Sequence, residues 1–191
     1  MTGKLSTRKL TMISLLSGFA FLIQYLNFPI PPFPAFLKVD FSELPALMAG
    51  LMLGPWAGVT VEFVKNLLHF AFTGSESGVP IGQMANFLTG SLFVLITVWT
   101  ARKIRDTKGL VIGLAIAAPV TAILMSLANY WVILPAYAFL INWTVEGPEK
   151  TALVLYAIGP FNLLKGLIVA LVFVPLYRRI QPRLKGRTLA G

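Results

Sequence analysis

Residues 28–45 read FPIPPFPAFLKVDFSELP. Pro29, Pro31, Pro32 and Pro34 fall within six residues. Proline fixes φ and has no N–H, so a helix cannot run through this stretch. A stiff, extended segment is predicted. Uncharged apolar runs lie on both sides, so the chain reads as apolar helices interrupted here. The far end, Lys38-Val39-Asp40-Phe41-Ser42-Glu43, carries charges of both signs among apolar residues. A floppy connector would be rich in Gly and Ser. Two readings stand: a lid or wall of a pocket at a membrane surface, or a stiff hairpin loop between two helices.

Working outward, the whole chain supports a membrane setting. Hydrophobic residues make up 57% of the 191 residues and charged residues 12%, against roughly 25% charged in soluble domains. Mean hydropathy is +0.79. The length fits one domain. There is no cysteine, which excludes disulfides, thiolate nucleophiles and Cys-ligated metals. His69 is the only histidine, so a multi-histidine metal site is excluded as well. The net charge of +9 would suggest nucleic acid for a soluble protein. Its distribution points to membrane topology instead, and no nucleic-acid partner is expected.

Six spans are predicted in an all-α membrane domain covering residues 1–191: 10–27, 44–54, 56–72, 81–101, 110–134 and 151–177. The first, too long for a signal-peptide core and lacking a small-residue cleavage site, is read as a retained helix. On it Thr11, Ser14 and Gly18 share one face, and Ser14-xxx-Gly18 permits close helix approach, within this chain or to a partner. The second would be only about 17 Å long at 1.5 Å per residue, ending at Gly54-Pro55. The third carries Glu62, Lys65, Asn66 and His69 within an arc of about 100°. Ionisable groups at membrane depth face a bundle interior or a water-filled cavity. Glu62 and Lys65, at i and i+3, can neutralise each other; His69 reads as a packing residue. Residues 109–142 hold no charge. From Pro135 to Lys150 a loop is expected, either plain or containing a short interfacial helix, with Tyr137 and Trp143 at headgroup level.

Charge sets the orientation. With both termini cytoplasmic, twelve of the sixteen basic residues are inside: Lys4, Arg8, Lys9, Arg102, Lys103, Arg105, Lys108, Arg178, Arg179, Arg183, Lys185 and Arg187. Asp40, Glu43, Glu76, Glu146 and Glu149, five of the seven acids, are outside. This is a positive-inside pattern. It puts the proline-rich loop, the Glu76 turn and the Glu146 loop on the external side.

Polar groups then converge in the outer half. They are Lys38 and Asp40 from the loop, Gln83 and Asn86 opening the fourth span, Asn129 on the fifth, and Asn162 and Lys165 on the sixth. Aromatic residues such as Phe36, Phe41, Phe87, Tyr130 and Phe161 accompany them. Amides supply both donors and acceptors, which with aromatic walls suits a flat heteroaromatic ligand with a polyol tail. Interhelical hydrogen bonding is the other reading for Asn129 and Asn162. A lone lysine at a span centre costs about 2.5–3.5 kcal/mol, so Lys165 needs a ligand, a carboxylate or water beside it. No P-loop motif, Ser-His-Asp set or H-E-x-x-H occurs, so no catalytic residues are assigned.

The stretches FPIPPFPAFLKVDFSELPAL, GPWAGVTVEFVKNLLHF, ANFLTGSLF, LANYWVILPAY and GPFNLLKG, with YRR after the last span, resemble the riboflavin-specific S component (RibU type) of energy-coupling-factor transporters. They keep the family's order and cover nearly the whole chain. The resemblance implies a six-helix subunit of the cell membrane, set in lipid, that captures riboflavin from outside. The ligand is cargo and no cofactor is expected; flavin mononucleotide is a second candidate ligand. The implied partners are a transmembrane coupling (T) protein and two ATP-binding cassette ATPases. By position, Asn129, Asn162 and Lys165 look like the polar contacts, and Leu37 to Phe41 like the lid. Ser14 and Gly18 stand where the family shows Ala-xxx-Ala facing the partner. Glu62 has no expected counterpart. The competing class is a self-sufficient secondary transporter driven by protons or Na⁺ through Glu62, Lys65 and His69, against which the lack of a visible internal repeat argues. A membrane enzyme is disfavoured by the missing catalytic sets.

Overall fold

The computed structural model describes residues 6–75, 78–104 and 107–184. The charges predicted to orient the chain at Lys4, Glu76, Arg105, Lys185 and Arg187 lie outside the described residues, as does the side chain of Arg183.

Helix α1 spans Thr7–Gln24. It stops before the proline run, which forms a loop closed by a two-stranded antiparallel ribbon: β1 (Phe28–Pro29) pairs with β2 (Lys38–Val39). Helix α2 (Glu43–Leu53) follows directly. Its 11 residues reach only about 17 Å, roughly half of a bilayer core. Gly54 breaks it at φ 123°, a conformation that an L side chain resists. Pro55 then opens α3 (Pro55–Thr73), a first-turn position where its missing N–H costs nothing. A Cβ on Gly58 of α3 would lie 2.7 Å from the Ala46 carbonyl oxygen, so glycine lets α2 and α3 pack tightly.

Helix α4 is Ile81–Ile104 and α5 is Thr107–Ala128. The sixth helix, α6, is Leu134–Ile141, joined to α5 by a π-helical turn at Asn129–Ile133. A short α7 (Gly147–Ala152) leads through a second π-helical turn, Leu153–Ile158, into α8 (Gly159–Leu184). Two expectations need correcting. The stretch from Pro135, expected as a loop with or without a short helix, continues α5 as helix as far as Ile141, and the last helical stretch begins at Gly147 rather than residue 151. Both rods pass a proline by the same device. The Leu134 N–H bonds to the Asn129 carbonyl, and the Gly159 N–H to the Val154 carbonyl, each five residues back. Pro135 and Pro160 come immediately after. The wider turn changes the register ahead of each proline, which relieves the clash that normally ends a helix. Left-handed Asn142, at φ 56°, ends α6.

Among the described residues, three helical rods are long and apolar enough to cross a membrane: Ile81–Ile104, Lys108–Ile141 and Gly147–Gln181. Helices α1 and α2 pack on α3, α3 on α4, α4 on α5, and α5 on α8. The main core runs between them through Ala20, Ala46, Leu47, Val61, Val94, Val98, Leu114, Ala117 and Phe173.

Candidate functional site

The proline-rich loop is fastened at two levels. At its tip, contacts are apolar. Phe33 meets Phe161 of the α8 rod edge-on at 5.6 Å, and Phe36 meets Trp143 at 5.9 Å between ring centres. Leu37 packs against Leu134, Val154 and Ile158. At its base, contacts are ionic. Asp40 is buried, and one of its oxygens accepts from Lys165 Nζ at 3.2 Å. Lys165 also pairs with Glu43, the first residue of α2, at 2.7 Å. The other Asp40 oxygen accepts from the Ser42 backbone N–H at 2.8 Å and from the Ser42 hydroxyl. Burial pushes the Asp40 carboxyl up, but the Lys165 and Lys65 ammoniums and the Ser42 hydrogen bonds outweigh it and hold it below the usual carboxylate range.

Beneath this base lies a small cavity between α2, α4, α5 and α8. Glu43, Thr89, Phe93, Thr121, Asn162 and Lys165 line it. Its volume is about 10 Å³, room for roughly one water. It brings a carboxylate, an ammonium, an amide and two hydroxyls together against an aromatic ring. Such a set can hydrogen-bond a ligand that carries both donors and acceptors.

Residues 8–177 match the family described as ECF transporter, substrate-specific component. The chain belongs to this family. It is 42% identical over 184 residues to the riboflavin transporter FmnP of Bacillus subtilis (strain 168), covering 93% of this chain and 94% of that protein. It is 40% identical over 178 residues to the riboflavin transporter RibU of Staphylococcus aureus (strain TCH60), covering 93% of each. A solved structure of the S component of a bacterial ECF transporter superposes with a TM-score of 0.80 at 41% identity, covering 93% of this chain and 98% of that one.

In this S component the residues singled out from sequence fall into three groups. Asp40, Asn162 and Lys165 come together at the cavity and its roof. Leu37 and Phe41 are half-buried in the covering loop, and Lys38 is exposed on β2. Asn162 donates its amide to the Ile158 carbonyl one turn back, at 2.9 Å. Asn129 does the same to Met125 at 2.8 Å, from the start of the π-helical turn; it does not line the cavity. Gln83 points elsewhere: it donates to the Gly74 carbonyl at 2.8 Å and lies 3.5 Å from His69 Nδ1, tying the end of α3 to the start of α4. Asn86 is half-buried with its carbonyl oxygen shielded from solvent.

The polar face of α3 is the third group. Glu62, Lys65 and Asn66 are buried. Glu62 and Lys65 form an ion pair at 2.8 Å. Asn66 accepts from Gln24 of α1 at 3.3 Å and donates to the Glu62 carbonyl at 2.9 Å. His69 is half-buried, its ring 5.8 Å from that of Tyr25. On α1, Ser14 is exposed and a Cβ built on Gly18 would meet no atom within 4 Å. The small-residue face is therefore open, while Ile13, Ser17, Ala20 and Gln24 pack inward.

Sequence reading missed two participants. Glu43 counted only as an outer-loop acid, and Ser42 was not singled out. The available signal was their position: both follow Asp40 at the threshold of an uncharged helix, where an acid is costly unless a buried cation faces it.

Proposed function

We propose that this chain is the riboflavin-capturing subunit of an ATP-driven uptake transporter. It spans the cell membrane six times, with both termini in the cytoplasm and the proline-rich loop outside. The observation that carries the ligand assignment is the 42% identity along 93% of the chain to a protein named as a riboflavin transporter. The site supports it. Amide, ammonium and hydroxyl groups at the cavity match the donors and acceptors of a flavin ring and its ribityl tail. Phe33, Phe36, Phe161 and Trp143 offer flat apolar surface at the tip of the covering loop. Leu37, Lys38, Asp40 and Phe41 form the covering segment, and Asn86, Asn129 and Gln83 stand further along the same outer half. A cavity of about 10 Å³ is far too small for a tricyclic ring, so ligand entry requires the loop and its flanking helices to part.

The positive-inside charge pattern supports the orientation. Two ATP-binding cassette ATPases and a transmembrane coupling protein supply the energy, since the sequence carries no phosphate-binding loop of its own. The coupling protein docks on the open face around Ser14 and Gly18. A self-sufficient secondary transporter built on Glu62 and Lys65 is not favoured. These two groups are wholly buried and committed to each other and to Ser42.

Purified protein is expected to bind riboflavin one to one and quench its fluorescence. A parallel titration with flavin mononucleotide ranks the second ligand. A correctly folded protein that leaves riboflavin fluorescence unchanged would overturn the assignment.

A further inference from the structure

Glu62 and Lys65 are unused by the ligand reading, yet both are 0% exposed. A buried ion pair seldom repays its own desolvation, so its presence on α3 calls for another role. Its contacts supply one. Lys65 Nζ reaches Glu62 at 2.8 Å and also donates to the Ser42 hydroxyl at 2.5 Å. That hydroxyl donates to Asp40, whose other oxygen meets Lys165. A continuous polar chain thus links α3, the end of the proline-rich loop and α8. Glu62 is itself held in place: its carboxylate lies against Gly90 of α4, where a Cβ would collide with it. Lys65 does not line the cavity; it touches the segment that covers it.

We propose that Lys65, oriented by Glu62, is a positioning residue that latches the 40–42 end of the loop shut over the ligand site. This rests on the reading of that site as the riboflavin pocket. The latch acts on the closed loop, and ligand entry and exit both need that loop to open. Its loss therefore speeds association and dissociation alike. A hydrogen bond to a charged group corresponds to about tenfold or more in an equilibrium, and a change of that size is expected.

The chain has no cysteine, which permits a test that needs no ligand. Val39, on β2 of the loop itself, is 0% exposed. In a Val39→Cys background, the rate of thiol labelling reports loop opening. Glu62→Gln with Lys65→Met removes both charges at similar volume, so no buried charge is left unpaired. Ser42→Ala cuts the same link from the loop side without touching α3. Each is expected to raise the labelling rate about tenfold or more, and to speed riboflavin association and dissociation in the same direction. If the double variant does not fold, Ser42→Ala decides the matter alone. Labelling that is unchanged or slower in a folded variant overturns the latch, whatever the parent binds. Faster labelling in a chain that binds no riboflavin upholds the latch and removes the ligand assignment instead.

Discussion

Lys165 of α8 and Asp40 of the proline-rich loop stand 125 residues apart in sequence and 3.2 Å apart in space. This ion pair, with Glu43 on its other side at 2.7 Å, ties the loop to the last helix. Removing one partner of a buried pair costs about 3–5 kcal/mol, because the remaining charge is stranded. Lys165→Ala strands two carboxylates. It is expected to weaken riboflavin binding strongly and to lower thermal stability, whereas Asn162→Ala costs only about 0.5–1.5 kcal/mol of binding. Flavin titrations and melting curves of both variants check the order. Equal, small effects would show that Lys165 contributes only to packing.

Gly90→Ala is expected to destabilise the fold by about 1–3 kcal/mol, since the added methyl would overlap the Glu62 carboxylate. Shortening that side chain removes the clash. The loss in Gly90→Ala/Glu62→Ala should therefore be smaller than the sum of the single losses. Additive losses, read from detergent-solubilised melting curves, would mean that the two residues do not compete for the same space.

Gly18→Trp should leave riboflavin binding nearly intact while weakening assembly with the coupling subunits. A Cβ at Gly18 meets nothing within 4 Å of it, so the face has room for bulk in the isolated chain. A tryptophan there would hold a partner helix away and forfeit close contacts that lipid does not replace. Co-purification of the coupling subunits with the variant, alongside a flavin titration, separates the effects. Normal assembly would move the docking surface elsewhere.

Transport should need more than this chain. Reconstituted alone in liposomes under a proton or Na⁺ gradient, it is expected to show no concentrative riboflavin uptake. Accumulation by the single chain would revive the secondary-transporter reading.

The sequence by itself determined features whose causes are local. The prolines at 29, 31, 32 and 34 stop α1 because each limits its own backbone and that of its neighbour. Gly54-Pro55 divides α2 from α3 for the same kind of reason, and the pairing of Glu62 with Lys65 follows from one turn of helix. The membrane setting was legible in composition, a property of the chain as a whole. What only the tertiary structure decided were the relationships between distant segments. Lys165 demanded a partner, but nothing near it in sequence named Asp40 and Glu43. Lys65 reaches Ser42, 23 positions away, because α3 folds back beside the loop that precedes α2. Pro135 reads as a helix breaker, yet helix continues past it through a π-helical turn that touches the one ahead of Pro160. Whether Ser14 and Gly18 packed inward or outward was equally undetermined, since a small residue suits either side. That choice was made by Ile13, Ser17, Ala20 and Gln24, which turn the opposite face of α1 into the bundle.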